Sequence, residues 1–211
     1  MSDVLCEVVN GVGYIRLNRP KALNSLNLEM VRGMQQSLLQ WAKDDAVKAV
    51  VLLGEGEKGL CAGGDIRSVY ENEVFQKADN VTFFAEEYEL NQYIFEYPKP
   101  YIALMDGIVM GGGMGISQGA KFRIVTERSK VAMPESAIGF FPDVGGSYFL
   151  PRCPGSIGFY LGITGVTINA EDSLYSGLAD YFLESSKLET FKSGLNQTSW
   201  SKDAASDIQS L

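Results

Sequence analysis

Three consecutive glycines, Gly111-Gly112-Gly113, separate an apolar run that begins at Tyr101 from the segment Met114-Gly115-Ile116. The run follows a predicted strand, Tyr101 to Met105, and leads toward a helix, where each glycine sacrifices roughly 1 kcal/mol of helix propensity. Such a sequence is kept for a reason: the backbone is approached closely, either by a ligand or by a packed strand. The spacing fits neither common phosphate pattern. A dinucleotide fingerprint needs a third glycine at 116 or 118, where Ile116 and Gln118 stand, and a phosphate loop ends in Gly-Lys followed by Ser or Thr.

A second small-residue turn, Cys61-Ala62-Gly63-Gly64-Asp65, lies after a buried strand predicted over Val47 to Leu53 and before a helix predicted from about Ile66. Free N–H groups at such a turn are fixed partial positive charges that can hold a phosphate or a developing oxyanion. The same residues also suit a plain tight turn with Asp65 as helix cap.

The chain contains no histidine. Ser-His-Asp and Cys-His nucleophiles, His-based zinc helices and two-His zinc fingers are therefore excluded. The segment Gly115-Ile116-Ser117-Gln118-Gly119 matches the Gly-x-Ser-x-Gly elbow but has no imidazole to take the serine proton. Cys6, Cys61 and Cys153 form no Cys-x-x-Cys pair, so neither a disulfide framework nor a thiolate metal site is expected, and a reducing compartment fits best. Cys61 reads as a small packed side chain. Chemistry is left to carboxylates and backbone donors.

The segment Met133-Pro134-Glu135-Ser136-Ala137-Ile138-Gly139-Phe140-Phe141-Pro142-Asp143-Val144-Gly145-Gly146 places two carboxylates among apolar residues and turn formers. An apolar pocket raises a carboxyl pKa toward neutrality, where it can move protons. Either residue alone also suits a cap or a turn. Glu86-Glu87-Tyr88-Glu89 reads as a solvated helix face.

With 18 basic and 26 acidic residues, the net charge of −8 argues against non-specific nucleic-acid binding. The 211 residues, 45% apolar and 21% charged, suit one soluble globular domain. The amino terminus has neither the basic start nor the apolar run of a secretory signal. The longest apolar stretch, Tyr101 to Ala120, holds Asp106 and six glycines and is not a membrane helix.

Along the chain, Asn10-Gly11 between Val8-Val9 and Tyr14 to Leu17 predicts a β-hairpin. Leu28, Val31, Leu38 and Trp41 recur at helical spacing, with Ser25 or Asn27 as cap and Asp44-Asp45 as the stop. Asn80 to Tyr97 predicts a helix ending at Pro98, and Asn169 caps one from Ala170 to Ser176, closed by Gly177. The strand–helix alternation is α/β, with no internal repeat in the sequence. Residues 184–211 carry seven serines and one helical stripe, Leu188, Phe191 and Leu195, and predict a marginal helix or a mobile end.

The opening Asn18-Arg19-Pro20-Lys21-Ala22-Leu23-Asn24, the Ala62-Gly63-Gly64-Asp65 turn and the Gly111-Gly112-Gly113 turn together resemble the crotonase superfamily of acyl-coenzyme A enzymes, over about residues 4 to 183. The resemblance implies a single core domain over 1–183 built as a spiral of ββα units, with 184–211 as the truncated or mobile start of a helical carboxy-terminal region. It implies that the N–H groups of Ala62 and Gly112 bind the thioester oxygen as an oxyanion hole, with Gly63 as an alternative first donor. Lys21 or Lys58 would meet the coenzyme A phosphates, and Lys21, Ala22, Gly63, Gly64 and Asp65 would line the substrate.

Hydratases of the superfamily carry a first glutamate shortly after the glycine turn, where this chain has Gly115. The segment from Pro134 to Gly146 instead looks like the signature of 3-hydroxyisobutyryl-CoA hydrolases, and Glu87 matches an acyl-binding glutamate of that group. The implied reaction is hydrolysis of a short branched 3-hydroxyacyl-CoA, a step of valine breakdown. Glu135 would act as general base or nucleophile, Asp143 would orient it or share its proton, and Glu87 would bind the substrate hydroxyl. The alternatives are an enoyl-CoA hydratase or isomerase, and a non-catalytic acyl-CoA-binding fragment, since hydrolases of this group continue well past residue 211. No metal is expected, and no cofactor beyond the coenzyme A of the substrate. A homo-oligomer is allowed, in the cytoplasm for a bacterial protein and in the mitochondrial or peroxisomal matrix for a eukaryotic one.

Overall fold

A computed structural model describes residues 2–66 and 78–211. Strands β1 (Val4–Val9) and β2 (Val12–Leu17) pair antiparallel around Asn10 and Gly11, whose φ angles are 45° and 82°. A turn with both central residues at positive φ matches the twist of the flanking strands, and Asn-Gly tolerates it best. Helix α1 (Leu28–Lys43) begins where Asn27 accepts a hydrogen bond from the Met30 N–H and ends at Asp44. Its buried Met30, Val31, Met34, Leu38 and Trp41 form one stripe.

From there the chain winds in repeated turns. Strands β3 (Ala49–Gly54) and β4 (Gly59–Cys61) precede helix α2 (Ala78–Phe95), and β5 (Tyr101–Met105) and β6 (Ile108–Met110) precede α3 (Gly112–Gln118). Strands β7 (Phe122–Val125) and β8 (Lys130–Ala132) follow, then a 3-10 turn at Glu135–Ile138, the short helices α4 (Gly146–Phe149), α5 (Ile157–Thr164) and α6 (Ala170–Tyr175), and strand β9 (Tyr181–Phe182). The first strand of each turn joins a six-stranded sheet, β1-β2-β3-β5-β7-β9, and the second joins a three-stranded sheet, β4-β6-β8. Every pairing after the first hairpin is parallel. This is the ββα spiral; its repeat lives in backbone geometry, with no matching repeat of residues. The helix predicted from about Ile66 runs into positions outside the described residues.

The inner strands β2, β3, β5 and β7 of the six-stranded sheet are covered on both faces and are mostly apolar, whereas the edge strands β1 and β9 are largely exposed. Alternate residues part company. Val50, Leu52, Tyr101 and Ala103 join the main core with α1, while Ala49, Val51, Ile102 and Leu104 join a second cluster on the other face. That second face is covered by residues 184–211, which form helices α7 (Leu188–Gln197) and α8 (Ala204–Gln209). Leu188, Phe191 and Leu195 are the stripe that packs, and Leu195 is fully buried. Trp200 Nε1 donates to the Asn10 carbonyl at 3.0 Å and Tyr14 Oη to Asn196 Oδ1 at 2.7 Å, so the segment is latched onto the first hairpin. The serine content suggested mobility because the partner surface lies some 180 residues away in sequence.

Candidate active site

The glycine run lies where the second turn of the spiral leaves β6 for α3, against the corresponding exit of the first turn after β4. Each glycine has its own neighbour. A Cβ on Gly113 would stand 2.4 Å from the Cys61 carbonyl, one on Gly112 would stand 2.6 Å from Glu87 Oε1, and one on Gly111 would stand 2.8 Å from Glu135 Oε1. Gly111 also takes a φ of 50°, which side-chain-bearing residues rarely adopt. The helix propensity sacrificed at 111–113 is therefore exchanged for the approach of one backbone and two carboxylates.

The two turns present free amides. Gly112 is the first residue of α3, and its N–H has no acceptor among the described residues. In the first turn the Ala62 N–H, the expected donor, is committed to the Leu23 carbonyl at 3.0 Å, and Gly63 points its N–H at the Cys61 sulfur at 3.4 Å. Ala62 is thereby corrected as a donor. The amide left open is that of Gly64, 3.3 Å from where a Gly112 Cβ would be. The swap depends on the Leu23 carbonyl, which the residues Ala62-Gly63-Gly64 do not reveal.

The Arg19 to Asn24 opening is the latch for this turn. Asn24 accepts from the Arg19 N–H at 2.9 Å and donates to the Glu55 and Gly59 carbonyls at 3.0 Å each. Arg19 reaches Asp65 Oδ2 at 2.7 Å. Asp65, expected beside the substrate, thus has its carboxylate engaged as a clamp on the turn. Lys21 and Lys58 are exposed and Ala22 is half-buried beside this latch.

Three carboxylates gather on the other side. Glu87 comes from α2, which presents it inward: it is 2% exposed, against the expectation of a solvated face at 86–89. Glu135 is 7% exposed at the start of its 3-10 turn. Glu87 Oε1 and Glu135 Oε2 have no hydrogen-bond partner. Burial, with the like charges of Asp143 and Glu135 behind it, pushes the Glu87 carboxyl up to about 8. Burial pushes Glu135 up to about 7, its own backbone hydrogen bond opposing and Asp143 adding to the rise. Asp143 is raised by burial as well, and Tyr88 Oη donates to its Oδ2 at 2.7 Å. Both carboxyls are thus raised toward neutrality, Glu87 the more deeply buried of the two, a setting in which carboxyl groups can move protons near pH 7.

Tyr88 was not legible as a site residue, since nothing in its own neighbourhood points it at Asp143, 55 positions away. Asn91 is a second such residue. Both atoms of its amide are buried without partners, 2.9 and 3.0 Å from the Cβ position of Gly115. A cleft of about 720 Å³ opens at this end of the site, lined among others by Tyr88, Asn91, Asp143, Tyr148 and Arg152.

Two readings that the absence of histidine disfavoured are settled by packing. Ser117 is fully buried and donates to the Gly113 carbonyl at 2.8 Å, as a helix-internal hydroxyl does. Burial pushes the Cys61 thiol up to about 12, so it stays protonated and inert. Among the described residues no cluster of three His, Cys, Asp or Glu could hold a metal, and no helix is long and apolar enough to cross a membrane.

A family model described as enoyl-CoA hydratase/isomerase matches residues 12–211. The chain is similar to the mitochondrial 3-hydroxyisobutyryl-CoA hydrolase of Danio rerio, with 48% identity over 197 residues that cover 92% of this chain and 51% of that protein. It is similar also to the small ribosomal subunit protein mS47 of Neurospora crassa, 44% identical over 200 residues, 92% of this chain and 39% of that one. Among solved structures, a carnitinyl-CoA dehydratase from Mycobacterium thermoresistibile superposes with a TM-score of 0.92 at 43% identity, covering all of this chain and 61% of that one. The chain spans about half the length of the curated relatives it matches.

Proposed function

The chain belongs to the enoyl-CoA hydratase/isomerase family, the crotonase superfamily, and from that premise we propose that its site hydrolyses a short branched 3-hydroxyacyl-CoA, of the 3-hydroxyisobutyryl type, to the free acid and coenzyme A. The observation that carries the reading is Glu135: a buried carboxyl with one oxygen unpartnered, set against the glycine turn that offers a free amide, and raised toward neutrality by its burial. The name of the Danio rerio relative supports the substrate class.

In this reading the Gly64 and Gly112 N–H groups receive the thioester oxygen and stabilise the negative charge that builds on it, a contribution of about 3 to 4 kcal/mol per donor. Water adds to the carbonyl carbon with its proton passing to Glu135, and the carbon–sulfur bond breaks with that proton returning to the thiolate. Alternatively Glu135 attacks the carbonyl carbon directly, the carbon–sulfur bond breaks and the coenzyme A thiolate leaves and takes up a proton, giving a mixed anhydride that water then opens to the free acid and the Glu135 carboxyl. Asp143, held by Tyr88, sets the charge around Glu135. Protonated Glu87, next to Gly112, donates to the substrate hydroxyl. Lys21 and Lys58, both exposed near the first turn, meet the coenzyme A phosphates.

A hydratase or isomerase reading is favoured by the dehydratase among the structural neighbours. Against it stands position 115, where a side chain would collide with Val144 Cβ at 2.6 Å and with the Asn91 amide, so no first glutamate can be accommodated there. The two readings part in one assay. Thiol release from 3-hydroxyisobutyryl-CoA, lost in Glu135→Gln while the variant stays folded, supports hydrolysis. Change in the enoyl absorbance of crotonyl-CoA without thiol release supports hydration, and full thiol release by Glu135→Gln refutes the role given to Glu135. Label from oxygen-18 water found in the Glu135 carboxyl after a single turnover identifies the anhydride route, with water opening the anhydride at the Glu135 carbonyl.

A further inference from the structure

Val144 lies between Asp143 and the Gly145-Gly146 pair, and its φ is 42°. A β-branched residue in the left-handed region is an outlier that persists only where its surroundings hold it. Here they do. Val144 is 5% exposed, and its Cβ sits 2.6 Å from where a Cβ on Gly115 would be, so the side chain is seated on the bare backbone of α3. The Asn91 amide forms another wall of the same socket, 2.9 and 3.0 Å from that point. Asn91 is three residues beyond Tyr88 on α2, on the same helix face. One helix thus meets the loop through the Tyr88 Oη bond to Asp143, and its Asn91 faces the same bare Gly115 position that Val144 fills.

We propose that Val144 is a positioning residue: its side chain, locked in the Gly115–Asn91 socket, holds the backbone of the 142–146 loop in the strained turn that delivers the Asp143 carboxylate to Tyr88 and to the carboxylate cluster. The glycines on either side explain why one residue must do this. Gly145 has a φ of 90° and the Gly146 N–H closes onto the Asp143 carbonyl at 2.6 Å, so the following chain supplies a tight turn with no side chain to anchor it. Without a filled socket Val144 returns to the extended region, which rotates the peptide plane next to Asp143 and carries its side chain off Tyr88.

This assignment rests on the hydrolytic reading for its catalytic consequence, but its structural half is read separately. With tyrosine labelled at the ring carbon bearing the hydroxyl, the Tyr88 resonance, assigned by its loss in Tyr88→Phe, reports the contact with Asp143. Val144→Ala, which empties the socket and still disfavours positive φ, is expected to move that resonance to its position in Asp143→Asn, and to lower kcat for thiol release about ten-fold with KM within two-fold. Val144→Thr, which keeps the branched shape and can meet the Asn91 amide, is expected to restore both toward the parent. Gly115→Ala is expected to act like Val144→Ala, and the double variant to be no worse than either single one. A parental Tyr88 resonance and kcat in Val144→Ala would overturn the proposal, as would equal losses in Val144→Thr. Should the parent release no thiol from any acyl-CoA, the hydrolytic reading fails, while the resonance still decides what Val144 holds.

Discussion

Glu135 and Gly111 are fitted to one another: the carboxylate oxygen Oε1 stands 2.8 Å from the point a Cβ on residue 111 would occupy. The same holds between Glu87 and Gly112 at 2.6 Å. The glycine run is therefore a mould for two acids as much as a source of free amides.

Alanine at either glycine should separate these roles. Gly112→Ala places a methyl group against Glu87 and against the Gly64 amide, and is expected to lower kcat/KM for thiol release by about a hundred-fold, the scale of a lost oxyanion donor. Gly111→Ala displaces Glu135 and demands a left-handed alanine, so both activity and Tm should fall. Steady-state kinetics with circular dichroism melts check the pair, and an active Gly112→Ala would argue against the donor assignment.

The raised carboxyls make a statement about stability. A carboxyl whose pKa is raised in the folded state binds protons better there, so its contribution is full below the unfolded value near 4.5 and is lost as pH climbs through the folded value, about 8 for Glu87. Glu87→Gln should leave Tm nearly unchanged at pH 5 and raise it by several degrees at pH 9, on the order of 2 to 4 kcal/mol. Melts across that range test it, and a parallel pair of curves would contradict the burial argument.

Tyr88→Phe keeps the ring and removes the hydrogen bond that holds the Asp143 carboxyl down. The Asp143 pKa should rise further, moving the acid limb of the kcat profile to higher pH, with kcat falling about ten-fold and KM little changed. An unmoved profile would mean that Tyr88 does not act through Asp143.

Leu195→Ala tests the covering of the outer sheet face. The side chain is fully buried in the second apolar cluster, so truncation should destabilise by about 2 to 5 kcal/mol. Urea unfolding should show this with an unchanged m-value.

Much of the fold was legible because its determinants are local. The Asn10-Gly11 turn and the Asn27 and Asn169 caps are read from a few adjacent residues, and each forms as its chemistry dictates. The three-stranded sheet was not legible. Its strands are three residues each and are specified by partners about 20 to 50 positions away. The site divides in the same way. Glu135, Asp143 and Gly112 stand out by residue type and setting, whereas Gly64 displaces Ala62 only through the Leu23 carbonyl, and Tyr88 and Val144 matter only once α2 has packed against the 142–146 loop.

The latch between Trp200 and Asn10 spans 190 positions, and it sets an order of events for a chain made from its amino terminus. The first hairpin and the strands stacked beside it can pair as they emerge, but their outer face, with Val51, Ile102 and Leu104 bare, stays open until residues 188–209 leave the ribosome. At about 5 to 20 residues per second, that face is uncovered for several seconds. A chaperone that recognises apolar strand surfaces has its window there, and a truncation before Leu188 would make the window permanent.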